Sequence, residues 1–556
     1  MADECDISDH MAKPATGGAM YLISIQIFSR AITFSANQIL LLHVSPEALG
    51  IAMQLELYSI TVLHFSRESI RVAAQTEPQH LQEVKKKESS GNPGKIIQDE
   101  LWKDSPPNSA SQALVNMSYL AAIFGCLMLY IFGFLYMRVA SVNILNAPYF
   151  NKSLALVGIA TTLELFAEPC FAVVQHNMLY QSRAAIETVS ALAKGLFSCG
   201  TAFWVGRMGL DRGPLPYAIG QVAYGVFIFC GYFIVAKRLT GKGGFSLLPA
   251  CLSKEQYLSG FISLPLLYRS ASIFFQSVVK HLLTQGDTMI LTALSTLEDQ
   301  GLYALASNYG GLVARLVFQP IEESSRTAFG RWLPSRKPWI AKPVSVTFAR
   351  SHLQDMLHAY FLLTIVSWAL GPLLLPVALR VILNSRWALL NIQEPLLAYC
   401  YYIPFLAFNG ITEAFVSSAA SNSELRAQAS WMGACSLAFA FAAYFLLKAA
   451  DLGVRGLVWA NIFNMALRIL WSFRFIQKYF GKYKQELRLR DVLPRRETCA
   501  VGIVTWSCTL ALHTPISTKT NVAGAFFAGA IVTITILYLE RNFLKGQIIR
   551  CRTNNS

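Results

Sequence analysis

The sequence predicts an all-α polytopic membrane protein: fourteen transmembrane helices, arranged as two pseudo-symmetric six-helix lobes plus two C-terminal helices. Three observations predict it. Hydrophobic residues make up 54% of the 556 residues and charged residues only 14%, and the mean hydropathy is +0.41, far more apolar than a soluble multidomain chain. Mostly apolar runs of about 20 residues, enough to cross a bilayer as helix, start near positions 17, 46, 112, 151, 183, 214, 258, 300, 352, 395, 427, 454, 497 and 521. Finally, landmarks of the first half recur in the second.

The elements follow in order. Residues 1–16 carry Asp3, Glu4, Asp6 and Asp9 against a single Lys13, the wrong charge for the basic start of a cleaved secretory signal. They are expected as a cytosolic tail, with the first span retained as an anchor. Residues 17–238 form the N-lobe, spans one to six, interrupted at 75–111 by a polar stretch (KKKESSGNPGK, KDSPPNSAS) that cannot bury a core and is expected as a mobile cytosolic loop. Residues 239–256, with GKGG, are expected as a weakly structured linker between the lobes. Residues 257–478 form the C-lobe, spans seven to twelve; 479–496 are a basic cytosolic connection; 497–540 hold spans thirteen and fourteen; and 541–556 are a second cytosolic tail.

An even number of spans puts both termini on one face, and the connections on that face hold most of the loop Lys and Arg, so both ends are expected in the cytosol. This bias, concentrated in RWLPSRKPWIAK and KYKQELRLRDVLPRRE, accounts for the net charge of +15. No nucleic-acid partner is therefore expected. The eleven cysteines are scattered singly, mostly within spans. Judged by the absence of CxxC spacing and of His or acidic groups at metal-ligand spacing, they read as small apolar filler, and neither a metal nor a cofactor is expected.

The lobes resemble each other. Gly50 and Tyr58 open span two as Gly301 and Tyr309 open span eight, both pairs 251 residues apart. The group Arg67, Glu68, Arg71 aligns with Glu322, Glu323, Arg326 after a slip of four residues, and Glu168, Asn177, Arg183 of the first half recur as Glu413, Asn422, Arg426. Parallel repeats of this kind are a transporter signature, with the ligand path expected near the membrane midplane.

Span eight, DQGLYALASNYGGLVARLVFQPIEESSR, carries charge on one side only. At about 100° per residue, Asn308, Arg315, Gln319, Glu322 and Arg326 fall within a ~60° arc. Span one repeats the pattern with Gln26, Arg30, Thr33 and Asn37, span two with Glu56, His64, Arg67 and Arg71, and span seven with Arg269, Gln276, Lys280 and Asp287. Span five does so with Arg183, Glu187, Ser190 and Lys194, and span twelve with Asn461, Asn464 and Arg468. Ionisable groups in a span cost a few kcal/mol each even on the lenient insertion scale, so such seams face a bundle interior or a wet cavity.

On the leading helices the cations Arg30, Arg67, Arg71, Arg269, Lys280, Arg315 and Arg326 outnumber Glu56, Asp287 and Glu322. Surplus positive charge in a low-dielectric vestibule favours a multiply charged anion, and guanidinium forks suit phosphate oxygens. The candidate diphosphate-binding residues are Arg30, Arg67, Arg71, Lys280 and Arg315, with Gln26, Asn37, Asn308 and Gln319 placed for sugar hydroxyls. An alternative stays open at Arg67, Glu68 and Arg71, and at Glu322, Glu323 and Arg326: ion pairs that lock each lobe. Glu164, Glu168 and Glu413 are read as structural or coupling carboxylates. Pro169, Pro320 and Pro404 fall inside spans and bend them. Catalytic signatures are missing from the sequence, so the chain is not expected to be an enzyme.

The blocks FSRAITF (28–34), FSRESIR (65–71), LELFAEP (163–169), KHLLTQGD (280–287), DQGLYALASNYGGLVARLVFQPIEES (299–324), NGITE (409–413) and ANIFNMALRI (460–469) resemble the eukaryotic Rft proteins of the endoplasmic reticulum. The departures are mild: a long polar loop after span two, and His281 and Asp287 where Gln and Glu are usual. The resemblance implies the multidrug/oligosaccharidyl-lipid/polysaccharide exporter superfamily and a fold similar to bacterial lipid II flippases. It also implies a substrate, dolichol-diphosphate oligosaccharide with five mannoses and two N-acetylglucosamines, that must pass from the cytosolic to the lumenal leaflet for N-glycosylation. Direct flipping and an accessory or scaffold role both remain open, and no protein partner is implied.

Overall fold

The computed structural model describes residues 40, 44–88, 107–177, 179–208, 212–243, 245–252, 257–258, 260–333, 343–382, 393–487, 489–511, 519–543 and 545–546. The expected first span and the expected tail 1–16 lie outside these residues, and so do Gln26, Arg30 and Asn37. A helix covers each stretch expected as spans two to fourteen.

The helices of the first half are α1 (Pro46–Glu88), α2 (Pro107–Val139), the single turn α3 (Val142–Leu145), α4 (Phe150–Phe166), α5 (Glu168–His176), α6 (Tyr180–Arg207) and α7 (Leu215–Gly243). Next come α8 (Leu264–Leu294), α9 (Leu297–Val313), α10 (Gln319–Trp332), α11 (Pro343–Ile382), α12 (Gln393–Ala419), α13 (Asn422–Tyr444), α14 (Gly453–Lys482), α15 (Arg496–Ala511) and α16 (Lys519–Leu539). Among the described residues, six stretches are long and apolar enough to cross a membrane by length and composition: Pro46–Ala74, Ser111–Val139, Phe150–His176, Leu215–Thr240, Ser345–Leu375 and Ser423–Ala449.

Two of the three prolines sit where the regular helix is interrupted. Pro169 follows a break at Ala167, so one apolar stretch becomes α4 and α5. Pro320 lacks an N–H and its ring crowds the carbonyl four residues back. The turn ahead of it widens into a π-helix over Ala314–Phe318, in which the Gln319 N–H reaches the Ala314 carbonyl five residues away. Pro404 sits within the continuous helix α12.

Two expectations about connections are corrected. The polar loop 75–111 is partly helical: α1 runs on to Glu88 through Gln-, Glu- and Lys-rich sequence that favours helix, and α2 begins at Pro107. The stretch 239–256 is not loose throughout. Residues 239–243 complete α7, and the following residues are strapped to α2 by two buried amides. Gln112 donates to the Leu248 carbonyl (3.0 Å) and accepts from the Ser246 N–H (2.8 Å). Asn116 donates to the Ala250 and Phe261 carbonyls (2.8 Å each) and accepts from the Ala250 N–H (3.1 Å). Two residues of antiparallel ladder, Tyr257 opposite Ser263 and Leu258 opposite Ile262, add a small β element to an otherwise helical chain.

Contacts divide the chain into two compact units, residues 1–285 and 286–556. In the first, α7 packs along both α4 and α6, while α1 packs on α2. In the second, α12 is central, packed by α9, α10, α11 and α14. Its core is aromatic: Phe329, Phe415 and Phe480 are fully buried beside Ile411 and Ile476. Helices α15 and α16 pack on α11.

Candidate functional site

In the first unit one face of α1 is polar, and apolar helices bury it. The break at Ala167 leaves Glu164 near the end of α4 and Glu168 at the start of α5, and both are almost wholly buried, at 5% and 2% exposure. A buried carboxylate requires a cation or several donors, and α1 supplies two arginines. Arg71 grips Glu168 bidentately, Nε to one oxygen and a terminal nitrogen to the other, and its guanidinium lies 3.8 Å from the centre of the Phe171 ring. Arg67 stands between the acids, 3.7 Å from Glu164 and 3.8 Å from Glu168.

The polar chain continues at both ends. Gln221 of α7 donates to the other Glu164 oxygen at 3.3 Å, and Lys194 of α6 pairs with Glu56 of α1 at 3.3 Å while covering the Tyr217 ring. At the far end Arg183 also lies over the Phe171 ring, at 5.1 Å, and pairs with Glu187 at 2.8 Å. Glu187 in turn accepts from the Tyr232 hydroxyl at 3.2 Å. On the opposite flank of α1, Lys280 of α8 pairs with Glu68 at 3.3 Å, and the His64 and His281 rings stack 4.6 Å apart.

This geometry corrects one expectation. Arg67, Arg71 and Lys280 are not surplus charges: each is matched by an acid of the same unit, the two arginines by Glu164 and Glu168 of α4 and α5 and Lys280 by Glu68 of α1. Five cations (Arg67, Arg71, Arg183, Lys194, Lys280) meet five carboxylates (Glu56, Glu68, Glu164, Glu168, Glu187). Arg269, from α8, joins no ion pair among the described residues. The pairs differ in character, since Glu168 is sealed whereas the Lys280 side chain is 64% exposed.

The corresponding positions of the second unit also come together, with different partners. Glu322 of α10 approaches α12 where it carries Gly410; a Cβ there would stand 2.8 Å from a Glu322 oxygen. Glu413, one turn further on, accepts from Asn409 at 3.2 Å and pairs with Arg468 of α14 at 3.4 Å. Arg326 pairs within its own helix with Glu322 at 2.7 Å, and Gln319 donates to Glu323 at 3.0 Å. Asn308 is half-buried on α9. Arg315 falls in the π turn, and its side chain lies outside the described residues. A separate link joins α8, α9 and α14: the Tyr303 hydroxyl donates to Asp287 at 2.9 Å and accepts from Asn461 at 3.3 Å.

Several members of these networks are absent from the expected binding set. Glu56, Arg183, Glu187, Lys194, Asp287 and Arg468 stand on polar faces that helical spacing exposes; Arg183 and Glu187 pair at i,i+4 within α6, but the partners of Glu56, Lys194, Asp287 and Arg468 sit on other helices and no spacing rule reveals them. Gln221 and Tyr303 carry no sequence signal at all. Chemically, the arrangement offers guanidinium and ammonium groups held by carboxylates within apolar helices, together with amide and phenol hydrogen-bonding groups.

A family model described as Rft protein matches residues 15–550. A Yarrowia lipolytica protein named Man(5)GlcNAc(2)-PP-dolichol translocation protein is 32% identical over 521 residues, covering 89% of this chain and 75% of that protein. A Saccharomyces cerevisiae protein of the same name is 30% identical over 501 residues, covering 85% of this chain and 84% of that one. A solved structure of the lipid II flippase MurJ, in an inward closed conformation, matches with a TM-score of 0.61 at 12% identity, covering 94% of this chain and 100% of that one. At that identity the likeness establishes the fold, that of a polytopic helical membrane protein.

Proposed function

The chain belongs to the Rft protein family, and from that premise we propose that it is an intramembrane glycolipid transporter. Its substrate is dolichol-diphosphate-linked oligosaccharide with five mannose and two N-acetylglucosamine residues, the molecule named in its curated relatives. It carries this lipid from the cytosolic to the lumenal leaflet of the endoplasmic reticulum for N-glycosylation. It does so as a fourteen-span protein with both termini in the cytosol and with no cofactor.

The observation that carries this reading is the polar chain through the first unit. Stripping water from each glycan hydroxyl and from the diphosphate without a partner costs several kcal/mol per group, so the head-group needs a hydrophilic path through hydrocarbon. Charged pairs buried within apolar helices are costly to keep, and a polar substrate gives a reason to keep them. Arg30, Arg67, Arg71, Lys280 and Arg315 receive the diphosphate, in exchange for their carboxylates where they have them. Gln26, Asn37, Asn308 and Gln319 hydrogen-bond sugars, while the dolichol tail stays in lipid. The acids Glu68, Glu164, Glu168, Glu322, Glu323 and Glu413 hold the cations in place when the path is empty.

The test is purified protein in vesicles with leaflet-resolved labelling of the dolichol-linked oligosaccharide. The native chain is expected to equilibrate the lipid across the bilayer, and Arg30→Ala and Arg315→Ala to slow it severely. Vesicles in which the native chain leaves the lipid on its original leaflet refute the proposal.

One observation favours a second reading, an accessory or scaffold protein of dolichol-linked oligosaccharide assembly. Arg67, Arg71 and Lys280 are already neutralised by acids, which is also what a fixed bundle requires. On that reading, cells carrying Arg30→Gln, Lys280→Gln or Arg315→Gln keep normal N-glycosylation; on the transporter reading they lose it at unchanged protein levels.

A further inference from the structure

The two buried acids beside Arg67 are unequally served. Glu168 has both oxygens bonded by Arg71. Glu164, at 5% exposure, has one hydrogen bond among the described residues, from Gln221 at 3.3 Å, and a single ion-pair contact, Arg67 at 3.7 Å. That contact is too long for a hydrogen bond. Arg67 is equally loose toward Glu168, at 3.8 Å, and one-fifth of its side chain is exposed. It is therefore the buried cation of this cluster that can turn to an incoming anion at least cost, and Glu164 is the acid left behind when it turns.

Other charged groups around Glu164 do not take over. On α1, Arg71 pairs with Glu168, and where it turns, it turns to the diphosphate and not to Glu164. On α6, Lys194 is committed to Glu56. On α7, Tyr217 and Tyr224 are near but neutral, as is Gln221. On α2, the thiol of Cys126 packs against the apolar cluster of Leu63, Ala122 and Leu165. A carboxylate in apolar surroundings that loses its cation gains a proton instead of remaining charged.

We propose that Glu164 is a ligand-linked protonation site: binding of a diphosphate group to Arg67 transfers one proton from solvent to the Glu164 carboxylate. This deepens the transporter reading and rests on it. The balance is simple. Arg67 exchanges a carboxylate for a phosphate oxygen, one O–H bond forms on Glu164, and the bond that breaks is that between the proton and its donor, hydronium or the buffer acid, whose conjugate base keeps the electron pair. The sign follows from linkage. The complex holds one more proton than the free protein, so diphosphate binding strengthens as pH falls and weakens by up to about tenfold per pH unit as it rises.

The probe is inorganic pyrophosphate, titrated calorimetrically into the full-length purified protein in buffers of different ionisation enthalpy. Glu164→Gln serves as the reference, because it mimics the protonated acid and cancels proton exchange by pyrophosphate itself. The expected result is an uptake of about one proton more in the native chain than in Glu164→Gln. Glu164→Gln is also expected to bind pyrophosphate more tightly at neutral pH and with a flatter pH dependence. Infrared difference spectra provide a second measurement that needs no comparison of affinities: a protonated-carboxyl carbonyl band appears with pyrophosphate in the native chain and is absent in Glu164→Gln. Binding with equal proton uptake in the two proteins, or with no such band, overturns this inference and leaves the transporter reading intact. Failure of the native chain to bind pyrophosphate overturns the anion site and the inference together.

Discussion

Tyr303 donates its hydroxyl to Asp287 at 2.9 Å and accepts from Asn461 at 3.3 Å, so one phenol ties together α8, α9 and α14. Tyr303 is buried, which leaves water a poor substitute for its donor. Tyr303→Phe keeps the ring and removes the hydroxyl, and with it both the donor to Asp287 and the acceptor for Asn461. A hydrogen bond to a charged group contributes about 1.5–3 kcal/mol, and a loss of that size is expected in denaturant unfolding of the detergent-solubilised protein. An unchanged midpoint would show that the Asp287 contact contributes nothing.

In the Arg71–Glu168 pair the carboxylate is buried, the arginine side chain is 22% exposed and the grip is bidentate. Removing one partner leaves an uncompensated charge, at a cost of about 3–5 kcal/mol, whereas replacing both with apolar groups is often close to neutral. Arg71→Ala is expected to sharply reduce the yield of monodisperse protein in size-exclusion chromatography. Arg71→Met combined with Glu168→Leu is expected to recover most of it. Arg71→Lys is expected to fall between, because an ammonium cannot reproduce the planar fork.

Lys280 and Glu68 allow function to be separated from folding. Their pair is exposed, and such pairs contribute about 0–1 kcal/mol. Lys280→Gln is therefore expected to leave the melting temperature within a degree or two, as for a surface change of that size. If Lys280 meets the diphosphate, the same variant lowers lipid translocation in vesicles several-fold. Full translocation by Lys280→Gln would remove this residue from the path.

Two glycines make a matched pair. A Cβ on Gly310 would stand 2.5 Å from two atoms of the Tyr399 ring, while one on Gly330 meets nothing within 4 Å. Gly310→Ala is expected to destabilise by about 1–3 kcal/mol, as overpacking does. Gly330→Ala, in helical backbone, is expected to stabilise by up to about 1 kcal/mol. Thermal unfolding of the two variants side by side checks both signs.

Much of the helical scaffold was legible in the sequence, because a period of 3.6 with apolar runs of membrane length is a property of single segments. Glu56, Arg67, Arg71, Lys194 and Lys280 could be placed on polar faces for the same reason. The partners of those residues could not be read, since Arg71 meets Glu168 across 97 residues and Lys280 meets Glu68 across 212, and helical spacing carries no information about a neighbouring helix. The expected charge surplus failed for that cause. The strapping of residues 245–252 by Gln112 and Asn116 was hidden in a similar way: two amides near the start of an apolar helix read as tolerated polar residues until the backbone they hold is seen. The π turn ahead of Pro320 was hidden too, because it shifts register by a device that composition does not announce.

That wide turn also sets how its rod can yield. Regular α-helix resists bending because each carbonyl is tied to an amide one turn on; between Ala314 and Pro320 the ties are fewer and longer. Force applied to either end is absorbed there and not spread along the length. Asn308 on the near side and Glu322 with Arg326 on the far side thus belong to two levers sharing one elbow, and a stiff replacement at Pro320 would weld them into a single bar.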